Sequence, residues 1–509
     1  MSEMNAIARR GRLGPEWRLR LLFLLLALVV CALVNPGNFG AIDTTRRWQV
    51  ARWIRLGEPE VSPSDTAYGI TGRNGARHSY TGIGQSLLLI PFDAAVDAVV
   101  VPQLGRFHLD ATRQKQVAEL SIAFLMQSFV TAGVLILAYE LLLTFHFSRW
   151  VSTAGALGLL LATSCLAYIQ SAQENELLLL LALCALWGVR RFYADHRAKW
   201  AVVAGSACAF AILTRASALL ETGVFAAYAL SAGGGRKRFL AGYLAPLAAA
   251  ILFDRWYQYY RFGDAFSTYL GIAGKQLRPP SAPPSYPFSY PFWKGFFGTL
   301  FSHDKSIFLF DPLVVLLLLL VVLTWRSLAG ELKRVLGWLA LLEVLYIASS
   351  ARYFAFGGDV AWGHRYVIMP VQLLCLFAIP ILLAQGGKLT VGGRRALWAI
   401  VWASAILQAA STAIAPNLEI LQRGMGYDHG VIWNRAVNLL EIATSSEVPG
   451  RFAGVPVEWR TLAYLPFQLR FRFPALARWA IAGWLALLAL LPLLVFAILR
   501  AARIDVKRP

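Results

Sequence analysis

The chain has 509 residues, of which 58% are hydrophobic and only 15% charged. That apolar content recurs as long runs along nearly the whole sequence, which excludes a single soluble core and points to a polytopic membrane protein. The formal net charge of +20 invites nucleic acid as a partner. The basic residues, however, fall in short clusters between apolar runs, so membrane lipids fit better and nucleic acid is not expected.

Arg9, Arg10, Arg12, Arg18 and Arg20 surround the start of the first apolar run, 18–34. No small-residue cleavage site follows it, so it reads as a retained span with its basic end in the cytoplasm. Residues 83–103 are also apolar enough to cross, but a crossing there inverts every later loop. With Asp93 and Asp97 at helical spacing and Pro91 and Pro102 near its ends, this segment reads as a juxtamembrane or re-entrant helix on the outer side.

Further apolar segments lie near 117–144, 151–170, 172–190, 199–215, 217–232, 239–254, 307–325, 335–350, 365–385, 396–414 and 477–499. Together with the first they make about twelve spans of roughly 20 residues. The loops that this count places inside carry Arg149, then Arg190, Arg191, Arg197 and Lys199, then Arg236, Lys237 and Arg238. Arg326, Lys333 and Arg334 follow, then Lys388, Arg394 and Arg395, and the tail has Arg500, Arg503, Lys507 and Arg508. The loops were not used to choose the spans, so their agreement with the positive-inside rule supports cytoplasmic termini.

The expected fold is an all-α polytopic membrane protein of about twelve transmembrane helices with extracytoplasmic juxtamembrane helices and loops. Its main module is 1–414, with outer loops 35–116, 255–306 and 351–364. A small extracytoplasmic segment, 415–476, and a last span with its basic tail, 477–509, complete it. The proline-rich stretch 279–291 reads as a semi-extended linker. Cys31, Cys165, Cys184, Cys208 and Cys375 lie in or beside apolar runs. They show no metal-type spacing and read as buried thiols.

No P-loop, HExxH, GxSxG or dinucleotide fingerprint is present. Candidate chemistry therefore comes from charged and aromatic residues at the outer ends of spans. Asp43 opens a short helix, 44–56, which stops at Gly57. It is either an ordinary N-cap or a general base held near the bilayer surface. The turn Gly75-Ala76-Arg77-His78-Ser79-Tyr80-Thr81-Gly82-Ile83-Gly84 is a surface turn or a phosphate cradle helped by Arg77 and His78.

Glu174 and Glu176 sit between two spans, marking a boundary, orienting an acceptor or pairing with Arg77. Arg215 interrupts an apolar hairpin, as a snorkelling side chain or a lipid-phosphate anchor. An aromatic stretch from Asp254 to Asp264 and the group Ser302-His303-Asp304-Lys305 follow. Last comes Phe356-Gly357-Gly358-Asp359-Val360-Ala361-Trp362-Gly363-His364-Arg365-Tyr366, where Arg365 offers a bidentate phosphate contact or a topological anchor.

In order and spacing these landmarks resemble the GT-C superfamily of membrane glycosyltransferases, nearest to its protein O-mannosyltransferase and aminoarabinose-transferase branch. The likeness rests on Asp43 just after the first span, the Arg77–Ser86 turn, the Tyr259-Tyr260-Arg261-Phe262-Gly263-Asp264-Ala265-Phe266 segment and the Gly357–Tyr366 entry. It implies an outer-face active site, a polyprenyl-phosphate sugar donor and Asp43 as the base that activates an extracytoplasmic acceptor. Relatives often have an acidic pair here, whereas this chain has Asp43-Thr44.

Donor-phosphate ligands are then expected among Arg77, His78, Arg215, His303, Lys305 and Arg365. Sugar or acceptor contacts are expected among Glu174, Glu176, Tyr80, Trp362, His364 and Tyr366. No metal ligands are assigned, although outer carboxylates and histidines leave a divalent metal open. The competing readings are a transporter or flippase of a lipid-linked sugar and a non-catalytic scaffold. The first needs polar groups at mid-membrane and repeat symmetry, and the second needs none of the outer charges.

Overall fold

The computed structural model describes residues 15–63, 65, 67–358, 361–426, 430–444, 462–472 and 474–504. The basic residues at 1–14 and 505–509, together with Asp359 and Val360 of the late glycine motif, lie outside the described residues, as does 445–461 of the expected outer segment. The apolar runs fold as helices because, away from water, a helix satisfies its own backbone N–H and C=O groups.

The helices in chain order begin with α1 (Pro15–Val34), α2 (Ile42–Leu56), α3 (Gly84–Val99), α4 (Ala111–Thr144), α5 (Arg149–Leu161), α6 (Cys165–Ser171) and α7 (Glu174–Asp195). Then come α8 (Ala198–Thr214), α9 (Ala218–Ser231), α10 (Arg236–Phe262), α11 (Tyr269–Gln276), α12 (Phe292–Phe301), α13 (Leu313–Thr324) and α14 (Gly330–Ser350). The last are α15 (Ile368–Cys375), α16 (Ala378–Gln385), α17 (Val391–Ser411), α18 (Pro416–Gly424), α19 (Val431–Thr444), α20 (Leu465–Arg472) and α21 (Pro474–Ile504). Two short strands, β1 (Ile70–Thr71) and β2 (Arg77–His78), pair antiparallel with Ile70 opposite His78.

The protein is thus an all-α, multi-pass type of chain. Among the described residues, 7 helices are long and apolar enough to cross a membrane, or 8 if the bent pair α5 and α6 forms one span. Gly84–Phe107 is one of the seven. The buried core runs through α1, α4, α7, α8 and α15, with Phe23, Leu135, Leu179 and Leu373 almost fully enclosed.

Two departures from the expected elements have clear causes. The apolar run 151–170 is broken, and α6 turns 53° from α5. The break is held by side chains: the Ser164 N–H donates to Asp311 Oδ1 at 2.7 Å, and Ser404 Oγ donates to the Ala162 carbonyl at 2.8 Å. Helix α10 continues to Phe262, beyond the expected end at 254, and stops at Gly263 with φ of 73°. The start of the expected outer loop 255–306 is therefore helical.

The bundle has two chemically different ends. At one end the basic turns meet. Arg149 pairs with Glu16 at 2.9 Å, and Arg190 reaches both the Thr144 carbonyl and Glu331 at 2.6 Å. Trp338 donates to Ser231, Ser327 donates to Gln385, and Arg503 lies over Trp150. At the other end the first loop, the 351–367 loop and the segment after α17 converge. Leu465 N–H donates to the Asn35 carbonyl at 2.7 Å, and Ala463 N–H donates to that of Ala413 at 2.8 Å. Gln170 ties this end together by donating to the carbonyls of Val34, Thr412 and Ala463.

Candidate active site

The converging loops enclose a cavity of about 870 Å³, near the upper end of the roughly 300–1,000 Å³ usual for small-molecule sites. Its wall takes residues from the loop before α2, from α2 itself, from the α6–α7 turn, from 353–366 and from 411–468. Three of the four segments expected on the outer face, 35–116, 351–364 and 415–476, thus share one cavity. The fourth, 255–306, contributes no lining residue.

Asp43 and Arg365 face each other on this wall. Asp43 lies in the first turn of α2, whose N-cap is Ala41. Its carboxylate makes no cap bond, so the capping alternative is set aside. Instead Oδ2 accepts from Arg365 Nη1 at 2.9 Å, and Oδ1 lies 4.0 Å from Arg46 Nη1. The side chains remain 25% and 20% exposed to the cavity. Arg365 Nη2 donates to the Tyr366 hydroxyl at 3.3 Å, whereas its buried Nε has no partner among the described residues.

Local backbone features hold this pair. Gly40 has φ of 71°, and a Cβ there would lie 2.5 Å from the Gln170 carbonyl oxygen. A glycine is needed for the first loop to approach the α6 end so closely. Gly358 also has positive φ, and a Cβ there would collide with the Arg365 side-chain stem. Asn175 Nδ2 donates to the Arg365 carbonyl at 2.6 Å. Lys305 Nζ donates to the carbonyls of Ala361 and Gly363 at 2.8 and 3.1 Å, stapling the loop that leads into Arg365.

Of the expected site residues, Asp43, Tyr80, Trp362, Arg365 and Tyr366 line the cavity. Arg77, His78, Glu174, Glu176, Arg215, His303, Lys305 and His364 are not among its lining residues. Each has another setting. Arg77 donates to the Asp65 carbonyl at 2.7 Å. His78 pairs with Glu60 at 2.6 Å, and Glu60 meets the buried Arg261 of α10 at 3.3 Å. That turn clasps α10 through Glu60, and of its residues Tyr80 lines the cavity.

Glu174 is 4% exposed and pairs with Arg47 at 2.7 Å and with Arg215. Its ionic capacity is taken by those two guanidiniums, and Arg215 in turn lies 5.6 Å from the Tyr366 ring centre. Glu176 is buried and accepts from Gln372 at 3.2 Å. His303 is exposed beside Asp304, which also accepts from Arg423 at 2.8 Å. His364 is 1% exposed, and neither ring nitrogen has a hydrogen-bond partner among the described residues.

Burial, helped by the nearby Lys305 charge, pushes His364 down to about 3, so its ring is neutral near pH 7. Burial raises the Tyr80 and Tyr353 phenols above their ordinary value, so both remain O–H donors at the cavity. Arg46 is also held away from Asp43 by Asp65, at 3.3 Å, and by the Tyr68 ring, at 3.6 Å. Among the described residues, no group of three or more His, Cys, Asp and Glu is placed to hold a metal ion.

Sequence reasoning missed several wall residues. Arg46 follows Asp43 at the i+3 spacing of one helix face, a signal that could have marked it. Tyr168, Gln173, Tyr353, Glu419 and Arg435 also line the cavity. Arg435 pairs with Glu419 at 2.6 Å and lies 5.0 Å from the Trp362 ring centre. No local pattern predicts that contact between α18, α19 and the 361–367 loop. The sequence matches no family model and no curated protein.

Proposed function

We propose that the protein is a membrane glycosyltransferase that moves a sugar from a polyprenyl-phosphate donor to an extracytoplasmic acceptor, a glycan, lipid or protein. The observation that carries this reading is the Asp43–Arg365 pair on the wall of a cavity of about 870 Å³. A carboxylate and a guanidinium on one wall supply the two groups such a displacement needs, a base for the acceptor proton and a cation for the charge that develops on the phosphate.

In this reading the donor phosphate takes up the unpartnered Arg365 Nε and competes for Nη1, releasing the Asp43 carboxylate. An acceptor O–H or N–H group then attacks the anomeric carbon opposite the phosphate. The new bond forms as the carbon–oxygen bond to phosphate breaks, and the acceptor proton passes to Asp43. The configuration at that carbon inverts. Polyprenyl phosphate departs as an anion stabilised by Arg365, with the cationic surroundings of Arg46, Arg47 and Arg215 behind it.

The same reading sets the chain in a bacterial plasma membrane with both termini cytoplasmic and the cavity outside. Twelve crossings are supported by the contacts between ends. In this reading the twelve are α1, α4, the bent pair α5 and α6, α7, α8, α9, α10, α13, α14, the pair α15 and α16, α17 and α21, while α3 does not cross. Helix α3 is tied laterally to α2 by Asp93, which accepts from Trp48 and Arg55 at 2.6 and 2.8 Å. That favours an interfacial place for α3.

Donor binding tests the proposal. In lipid nanodiscs, wild type is expected to bind a polyprenyl-phosphate sugar and release polyprenyl phosphate when acceptor is added. Arg365→Ala is expected to weaken donor binding by about 10–100-fold, the value of a charge-assisted hydrogen bond. A wild-type protein that neither binds nor consumes any such donor would remove the proposal.

A further inference from the structure

The turn between α6 and α7 carries a polar group that the fold itself does not use. Gln173 lines the cavity, and its Oε1 is buried without a hydrogen-bond partner among the described residues. Buried polar atoms in folded proteins nearly always find partners, so an unpaired acceptor in a cavity wall marks a place for a donor from outside the fold.

The turn is also held in an unfavourable conformation. Ala172 has φ of 49° while buried, a left-handed setting that a residue with a Cβ rarely adopts. Its carbonyl accepts from Thr44 Oγ1 and from Gln85 Nε2, both at 2.9 Å. Thr44 directly follows Asp43. On the other side of Gln173, Asn175 donates to the Arg365 carbonyl at 2.6 Å. The turn is therefore clamped directly to Arg365 and, on its other side, to Thr44, the neighbour of Asp43, with Gln173 between the clamps. Strain maintained by surrounding contacts is common where a side chain must be aimed.

The chemistry of the group narrows its ligand. An amide oxygen accepts hydrogen bonds and is repelled by phosphate oxygens, so it suits an O–H or N–H group. We infer that Gln173 is a specificity-determining residue of the donor site, its Oε1 accepting a hydrogen bond from a hydroxyl or amino group of the transferred sugar. This rests on the glycosyltransferase reading of the cavity. The clamp to Arg365 assigns Gln173 to the donor sugar rather than to the acceptor.

The test compares two ligand types in nanodiscs: polyprenyl phosphate without a sugar, and polyprenyl phosphates carrying mannose or aminoarabinose. Gln173→Met keeps the side-chain length and removes the oxygen. It is expected to bind the bare phosphate as wild type does, and to bind the sugar-bearing donor that wild type uses about tenfold more weakly. Its melting temperature is expected to equal or exceed that of wild type, because no bond within the protein is lost. Gln173→Asn withdraws the same oxygen and is expected to give the same split if the methionine variant does not fold.

Equal weakening of both ligands, no weakening of either, or a change confined to the acceptor KM would overturn the assignment. Wild type that binds the bare phosphate but neither sugar-bearing donor would also overturn it. Failure of wild type to bind even the bare phosphate would instead overturn the transferase reading, and this inference with it.

Discussion

Asp43 was legible as a candidate because it is an isolated acid just beyond the first apolar run. Its role was not, because an N-terminal helix acid has the same local sequence whether it caps the helix or faces a distant arginine. The deciding contact, Arg365 Nη1 at 2.9 Å, comes from 322 residues away. The cations Arg77, His78, His303 and Lys305 are polar neighbours of the motifs in sequence, but each is used in holding loops together or lies away from the cavity. His364 illustrates the difference. It sits one residue from Arg365, yet it is enclosed and neutral.

Burial lowers the folded-state value of His364 from 6.5 to about 3. Between those values the unfolded chain binds the proton and the folded chain does not. Its contribution to stability is thus fully present above pH 6.5 and is lost as the pH falls toward 3. His364→Gln, which does not titrate, is expected to show a smaller loss of thermal stability than wild type between pH 6.5 and 4.5 in detergent. Parallel stability profiles would show that the ring is not held neutral.

The apolar runs made most helices legible at the scale of elements, because their lengths match what a bilayer or a buried bundle demands. Their interruptions were not legible. The break between α5 and α6 depends on Asp311, 147 residues from Ser164, and on Ser404, 242 residues from Ala162. Residue spacing within 151–170 contains no trace of either. The α2–α3 pair was half visible: Asp93 and Asp97 were seen at helical spacing, but their partners on α2 were not.

Those partners explain how α2 is fixed. Asp93 is fully buried, accepts from Trp48 and Arg55, and lies 3.5 Å from Arg52. Asp93→Ala leaves part of this cationic cluster uncompensated and is expected to cost on the order of 3 kcal/mol. Faster proteolysis just after α2 and a lowered kcat are expected with it, because α2 carries Asp43. Asp97, which is 29% exposed, should tolerate alanine better. Equal effects of the two substitutions would contradict the assignment of Asp93 as the lock.

Across the whole molecule, the clustering of basic turns at one end and of the cavity loops at the other was the most legible property. Loop charge follows the side of the membrane rather than any particular tertiary contact. The convergence on one cavity of three segments expected on the outer face was not legible, since it needs the bundle to be assembled. Cysteines placed at Arg352 and Lys388, both exposed, provide a test of orientation. A membrane-impermeant thiol reagent applied to intact cells is expected to label Arg352→Cys and to spare Lys388→Cys. Labelling of both, or of Lys388→Cys alone, would break the proposed topology. The sides also bear on the proposed function, which has a polyprenyl-phosphate donor and its acceptor meet at the Asp43 end.

The central claim is that Asp43 takes the acceptor proton at this cavity. The most direct measurement is single-turnover sugar transfer by purified Asp43→Asn beside wild type, with donor binding recorded on the same samples. The account predicts retained donor binding and a transfer rate lowered by about 10²–10⁴-fold, as expected for loss of a general base. Transfer by a folded, donor-bound Asp43→Asn protein at the wild-type rate would contradict it.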